Sequence, residues 1–122
     1  MSAIKTVNIQ EKLSQVTTYW DPKIVGIFNN ERIQVVKLQG EFVWHDHKEA
    51  DEVFLVITGH LVIHFRDKDV TADEGEFIIV PKGIEHKPEA KEEVHIVLID
   101  PEGTTNTGDV ESKHTVKAPE AI

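Results

Sequence analysis

A chain of 122 residues, 39% hydrophobic and 29% charged, sets one compact soluble domain, large enough for a real core and too small for two. Its 13 Lys and Arg against 22 Asp and Glu leave a formal net charge of −9, which argues against nucleic acid or an anionic membrane as partner. The absence of cysteine excludes a disulfide framework, a thiolate metal site and a Cys nucleophile, and with no signal-peptide run in MSAIKTVNIQEKLSQ and no span of ~20 apolar residues a cytoplasmic protein is expected.

The first element is a short amphipathic helix over about 8–17, with Ile9, Leu13 and Val16 at i, i+4 and i+7 and Asn8 as its cap. So short a helix must pack on something larger. After Pro22 the period becomes that of strands: IVGIF and RIQVVKL, separated by Asn29-Asn30, a pair that tolerates the positive φ of a hairpin turn. EFVWHDH, EVFLVIT, HLVIHF, Val70-Thr71, FIIV, IEHK and VHIVLI follow, divided by KEAD, Gly59, RDKD, ADEG and Pro81-Lys82-Gly83. About eight short strands spaced by turns imply an all-β antiparallel sandwich or barrel, and a closed barrel would also remove the exposed edges. Residues 101–122 show no clear period and read as an irregular tail, draped over the barrel or a partner. The whole of 1–122 is one domain, with its barrel core over about 24–100.

Composition does not account for seven histidines. His45 and His47 lie two apart on an expected strand and so share a face. Seven histidines in such a chain produce ~0.4 His-x-His pairs by chance, so the pair alone carries little. Glu52 opens the next strand after a four-residue polar turn, and a hairpin returns its carboxylate toward His47. Pro81-Lys82-Gly83 fixes where His86 enters its strand, adding a third imidazole. Three imidazoles and a carboxylate leave a six-coordinate metal open, the mark of a reactive site. The set suits one divalent Fe, Mn, Ni, Zn or Cu ion and does not choose among them. Val43, Phe54, Val56 and Ile84 are the expected cavity lining. Their apolar character, with no Lys or Arg beside the site, favours a small, partly hydrophobic molecule over a sugar phosphate. His60, His64 and His95 are read as solvated or packed, with an acid–base role only if one faces inward. His114 is read as a surface residue, Trp44 as pointing away from the metal, and KEADE, RDKD and EAKEE as solvated turns without a calcium loop's spacing.

The two patterns G-x4-H-x-H-x4-E-x6-G and G-x5-P-x-G-x2-H arise here at Gly40, His45, His47, Glu52 and Gly59, and at Gly75, Pro81, Gly83 and His86. The second should arise by chance about once in a thousand such sequences. In this order they resemble the two motifs of the cupin family, specifically its small single-domain members, over roughly residues 24–100. The WDPKIVG, WHDH and PEGTTNTGD segments look like bacterial cupins loosely labelled mannose-6-phosphate isomerase-like, although a shared fold does not transfer a substrate. The resemblance implies an antiparallel double-stranded β-helix, the cupin jelly-roll barrel, with His45, His47, Glu52 and His86 as metal ligands. Gly40 stands one residue closer to the His pair than the family usually places it, and Ala90 stands where the second motif often has Asn. Neither position is a ligand.

Two functions of different class follow. The leading one is a mononuclear metal-dependent enzyme, oxygenase, isomerase or lyase, acting on a small molecule; the other is a small-molecule or metal-binding module without turnover. With the barrel using up the chain, no DNA-binding element is left for a regulator. Small cupins also resemble one another in forming homodimers, for which the Asn8–Val16 segment and the strands near Ile24 are suited.

Overall fold

The structure, a computed structural model, describes residues 4–122. Its elements run α1 (Ile9–Leu13), β1 (Lys23–Phe28), β2 (Glu31–Glu41), β3 (Glu52–Thr58), β4 (Leu61–Phe65), β5 (Asp69–Ala72), β6 (Phe77–Val80), β7 (His86–Pro101) and β8 (Glu120–Ala121). The expected all-β architecture is present, a β-sandwich with one short helix.

Strand β7 organises the sandwich. Its first half pairs antiparallel with β4, through Val62↔Glu89 to Phe65↔His86, and with the end of β2. Its second half pairs antiparallel with β2 on one side and β3 on the other. Hydrogen bonding then extends outward to β5 beyond β4, to β6 beyond β3, and to β1 and β8 beyond β2. Alternation does the rest. Phe54 and Val56 of β3, Leu61 and Ile63 of β4, Ile78 and Val80 of β6, and Ile96 and Leu98 of β7 all turn inward to one core. Each such side chain taken fully out of water contributes roughly 1.5–3 kcal/mol before entropy is counted.

Several local expectations are corrected. The helix ends at Leu13, not near residue 17, where Gln15 N to Lys12 O and Val16 N to Leu13 O turn the ladder to i→i+3 bonds and close it. Asn8 does cap it, accepting from Glu11 N at 2.9 Å, and Val16 is still buried beside Leu13, Val35 and Val97. The apolar side of the N-terminal segment is therefore spent on its own sheet. EFVWHDH is not one strand: β2 runs through Gly40, which has φ +88° beside a register shift, and beyond Glu41 only His45 makes a bridge, to His86. IEHK and VHIVLI are not separate strands. His86 begins β7, and Lys91–Glu93 are absorbed as an exposed bulge where Leu38↔Val94 gives way to Gly40↔Ala90. EAKEE is thus a bulged strand and not a turn. The Asn29-Asn30 hairpin has the expected positive φ, 48° and 65°.

The C-terminal segment is more ordered than its composition suggests. Residues 101–119 form a strap across one end of the barrel, and Glu120–Ala121 pair parallel with β1. Thr107 is fully buried and hydrogen-bonds to Val110 O and Thr115 Oγ1. His114 is not a surface residue: it stacks on Phe42, with centroids 5.4 Å apart, and lies 5.7 Å from Trp20. Burial lowers its pKa.

The strap approaches the 45–47 segment at Gly108, where a Cβ would lie 2.1 Å from Asp46 O, whereas at Gly103 it would meet nothing within 4 Å. Both glycines have positive φ. Gly108→Ala should therefore lower the unfolding free energy by ~2–4 kcal/mol, and Gly103→Ala by only ~1 kcal/mol, in urea denaturation. Equal losses would show that the strap yields at this approach.

Candidate metal centre

Four polar side chains converge in the barrel. His45 and His47 come from the segment after β2, Glu52 begins β3 and His86 begins β7. All four are buried, the most exposed being His47 at 6%. One potential ligand atom from each lies within 4.8 Å of the others. The segment carrying the His pair is held from both sides: His45 exchanges two backbone hydrogen bonds with His86, and Gly83 N donates to His47 O at 2.8 Å. Gly83 sits at φ +80° in the turn after β6, a conformation glycine takes without steric cost.

The arrangement resists explanation as a self-sufficient hydrogen-bonded cluster. Glu52 Oε1 lies 3.0 Å from His47 Nε2 and 3.5 Å from His86 Nε2. Yet all three atoms are buried without an aligned hydrogen-bond partner. An orphaned buried polar atom costs about 1–3 kcal/mol, more when charged. Meanwhile His45 Nδ1 lies 2.9 Å from Val43 O and His86 Nδ1 2.9 Å from Ile84 O. A carbonyl only accepts, so each Nδ1 carries a proton and each Nε2 is the ring nitrogen turned toward the centre. Imidazole lone pairs and a carboxylate oxygen gathered without mutual satisfaction fit a divalent metal ion.

The electrostatics distinguish the three groups. Burial, then the proximity of His86, pulls the His45 pKa down to about 4, so it is a neutral donor at pH 7. Burial acts against charge on His47 too, but Glu52 outweighs it and holds that imidazole above its usual value. Burial alone would raise Glu52; His47 and His86 prevail and hold it below the usual carboxylate range.

Behind Glu52 lies a group the sequence reading missed. Asp100 Oδ1 accepts from Arg32 at 3.0 Å (Nε) and 2.7 Å (NH2), and from Gln34 Nε2 at 3.0 Å. Arg32 also donates to Thr104 O at 2.8 Å, tying the strap to this network. Burial and the adjacent Glu52 raise the Asp100 pKa, with Arg32 acting against them. The available signal was parity, since Arg32 and Gln34 share the face of Val36 and Leu38.

Beside His45 and Glu52 is an interior cavity of about 30 Å³, walled by Trp20, Phe42, Phe54 and Leu98 among others, with Asn106 of the strap also on its wall. Asn106 is engaged elsewhere, with His114 O and Val116 N. Of the expected lining residues, Phe54 faces this cavity, Val56 is sealed in the core, and Val43 is half-buried against it. Ile84 is 45% exposed and does not line it; its carbonyl serves His86 instead. On the His47 side an open cleft of about 470 Å³ runs between residues 46–50 and 101–109. Its charged residues are Asp46, Glu49, Glu102 and Asp109 against Lys48.

The remaining histidines are paired away from the centre. His60 meets Asp73 at 2.6 Å, His95 meets Glu93 at 2.6 Å, and His64 lies between Asp69 and Glu89, 2.7 Å from each. Trp44 points outward under the Arg66 guanidinium, 3.9 Å from its ring centroid.

Residues 32–100 match the family model described as Cupin domain. The chain is similar to a cupin-2 domain containing protein from Shewanella frigidimarina, 45% identical over 78% of this chain and 93% of that one, with a TM-score of 0.77. It is also similar to protein NMB1881 from Neisseria meningitidis, 32% identical over 80% of this chain and 99% of that one, with a TM-score of 0.73. Among curated proteins it is similar to the uncharacterized protein YdbB of Bacillus subtilis, 33% identical over 60 residues. That match covers 48% of this chain and 53% of YdbB, so it spans about half of that relative's length.

The His45 pKa predicts an acid response. In metal-free protein the unfolded chain takes up a proton as pH falls through 6.5, while folded His45 does not until about 4. The unfolded state thus binds more protons across this window, and the His45 contribution to stability declines as pH falls. Between pH 7.5 and 5 the loss should be about 2 kcal/mol. Urea denaturation of wild type and His45→Asn at both pH values isolates it; equal pH dependence in the two proteins would contradict it.

Proposed function

We infer the function of this chain from two premises: it belongs to the cupin-domain family, and its barrel encloses four side chains able to hold a metal. The best-supported reading is a mononuclear, metal-dependent cupin enzyme that acts on a small molecule, of oxygenase, isomerase or lyase type. The observation that carries it is the set of three buried, orphaned polar atoms on His47, Glu52 and His86. His45, His47 and His86 would be the nitrogen ligands and Glu52 the oxygen ligand. A divalent ion held there supplies a Lewis acid with positions left for outside ligands.

The protein's own part is to position and exclude. The carbonyls of Val43 and Ile84 orient two imidazoles, Arg32 and Asp100 back the carboxylate, and the strap covers one end of the barrel. Among the described residues, the titratable side chains lining the interior cavity are His45 and Glu52, both proposed ligands. That favours reactions needing no separate protein acid or base. The apolar cavity and the acidic cleft favour a compact, uncharged or weakly polar molecule over a sugar phosphate. The cavity volume of about 30 Å³ also supports a second reading, a binding module without turnover, because it has little room for a substrate in this conformation.

Purified without a His tag and reconstituted separately with Fe, Mn, Ni, Zn and Cu, the protein should hold about one ion per chain with its preferred metal. His47→Ala should hold less than about 0.1. Metal analysis of the two decides the ligand assignment, and an unchanged level in the variant would overturn it. Loaded protein is then screened with diketones, catechols and hydroxy acids under oxygen monitoring and product analysis. Turnover of one class supports the enzyme, whereas tight metal binding without turnover across the panel decides for the binding module.

A further inference from the structure

Two spaces reach the four-residue centre from different sides. The open cleft meets His47, the interior cavity meets His45 and Glu52, and the two share no lining residue. The strap is the partition between them. Thr105, Gly108 and Asp109 line the cleft and Asn106 lines the cavity, with fully buried Thr107 in between. At about 30 Å³ the cavity has room for roughly two water molecules, so a larger molecule enters it only if a wall yields.

The hydrogen bonds decide which wall can yield. Val36, Leu38, Phe54, Ile96 and Leu98 stand on laddered strands. Trp20 is fixed to β2, its backbone N donating to Lys37 O at 2.9 Å and its Nε1 to Gln39 O at 3.0 Å. Phe42 N donates to Pro88 O at 2.9 Å. The segment 105–119 is held differently. Asn106 spans to His114 O and Val116 N, Thr107 to Val110 O and Thr115 Oγ1, and Lys117 pairs with Glu111. Apart from the His114 ring, among the described residues every hydrogen bond and ion pair of 105–119 stays inside it. That ring stacks on Phe42, lies beside Trp20 and approaches the Glu41 carbonyl. The two ends are anchored, by Arg32 on Thr104 O before the segment and by the pairing of Glu120–Ala121 with β1 after it.

We propose that residues 105–119 are a lid latched by His114. Lifted as one unit between its anchored ends, the lid keeps its internal bonds and leaves the strands in place. The outer faces of Trp20 and Phe42 are then free, and cavity and cleft join into one space bordered by His45, His47 and Glu52. A small molecule reaches the centre through that opening, and closure excludes water around it. The motion itself needs no metal; its use in binding or turnover rests on the metal-centre reading.

The chain has no cysteine, so a single introduced thiol reports the opening without background. Val36 lines the cavity, whereas Val56 is sealed in the same core, and both are buried. In native protein Val36→Cys should react with methyl methanethiosulfonate at least ~10-fold faster than Val56→Cys, each rate corrected for the variant's own unfolding free energy. Its urea dependence should be the shallower, because lifting a lid exposes far less surface than unfolding. His114→Ala should speed Val36→Cys a further ~10-fold relative to Val56→Cys, and His114→Phe, which keeps a ring on Phe42, should not. Equal corrected rates for the two thiols would overturn the lid. So would a Val36→Cys rate that His114→Ala leaves unchanged relative to Val56→Cys. The rates are read on the protein as purified and need no bound ion, so failure of the lid and failure of the metal assignment are distinct results.

Discussion

The structure depends on β7 being shared. One strand of 16 residues hydrogen-bonds to β4 with its first half and lies between β2 and β3 with its second, so the strands on either side are joined only through it. Its two ends also hold the chemistry. His86 begins it, bridged to His45, and Asp100 nearly ends it, bonded to Arg32. Anything that slips the register of β7 would move His86 and the Asp100 group behind Glu52 together. Because a slip of one residue would turn the buried side chains Val94, Ile96 and Leu98 outward, the hydrophobic pattern strongly opposes it.

Within that frame the centre is a concentrated set of costs. Three imidazoles and two carboxylates are removed from water, and three of their atoms lack an aligned partner. In an apolar interior such a group is destabilising unless something else satisfies it. The chain answers the cost unevenly: Asp100 has an arginine and a glutamine, whereas Glu52 has only histidines. The unsatisfied part of the network is thus confined to the four side chains able to bind a metal. Binding energy gained there is also folding energy, because the unfolded chain holds no such arrangement.

Much of this was legible in the residues, for reasons that can be stated. His45, His47, Glu52 and His86 were picked out by the spacing of the two motifs and their glycine and proline turns, although the strand expected to carry the His pair is not formed. The strands β1 to β6 and the Asn29-Asn30 turn followed from periodicity and φ preferences, whereas the EFVWHDH strand, the break between IEHK and VHIVLI, and the missing β8 were misread. What could not be read depended on distant partners. Arg32 and Gln34 looked like ordinary polar positions until β7 placed Asp100 between them. The charged run at Lys91–Glu93 looked like a turn, but the ladders on both sides of β7 keep the strand going through a bulge. His114 looked like a surface residue because nothing local announces a stack on Phe42 and Trp20. Ile84 was assigned to the cavity by analogy with its neighbours; its main chain serves the centre while its side chain is exposed.

That last division has a consequence for how such a barrel can diversify. The outer partners of His45 and His86 are main-chain carbonyls, of Val43 and Ile84, not side chains. A carbonyl is present whatever residue occupies the position, so the orientation of these two imidazoles is insulated from sequence drift there. Side chains at 43 and 84 can change size or polarity while the ring protons keep their acceptors. The same scaffold can therefore accept substitutions at these two positions without rebuilding the centre itself.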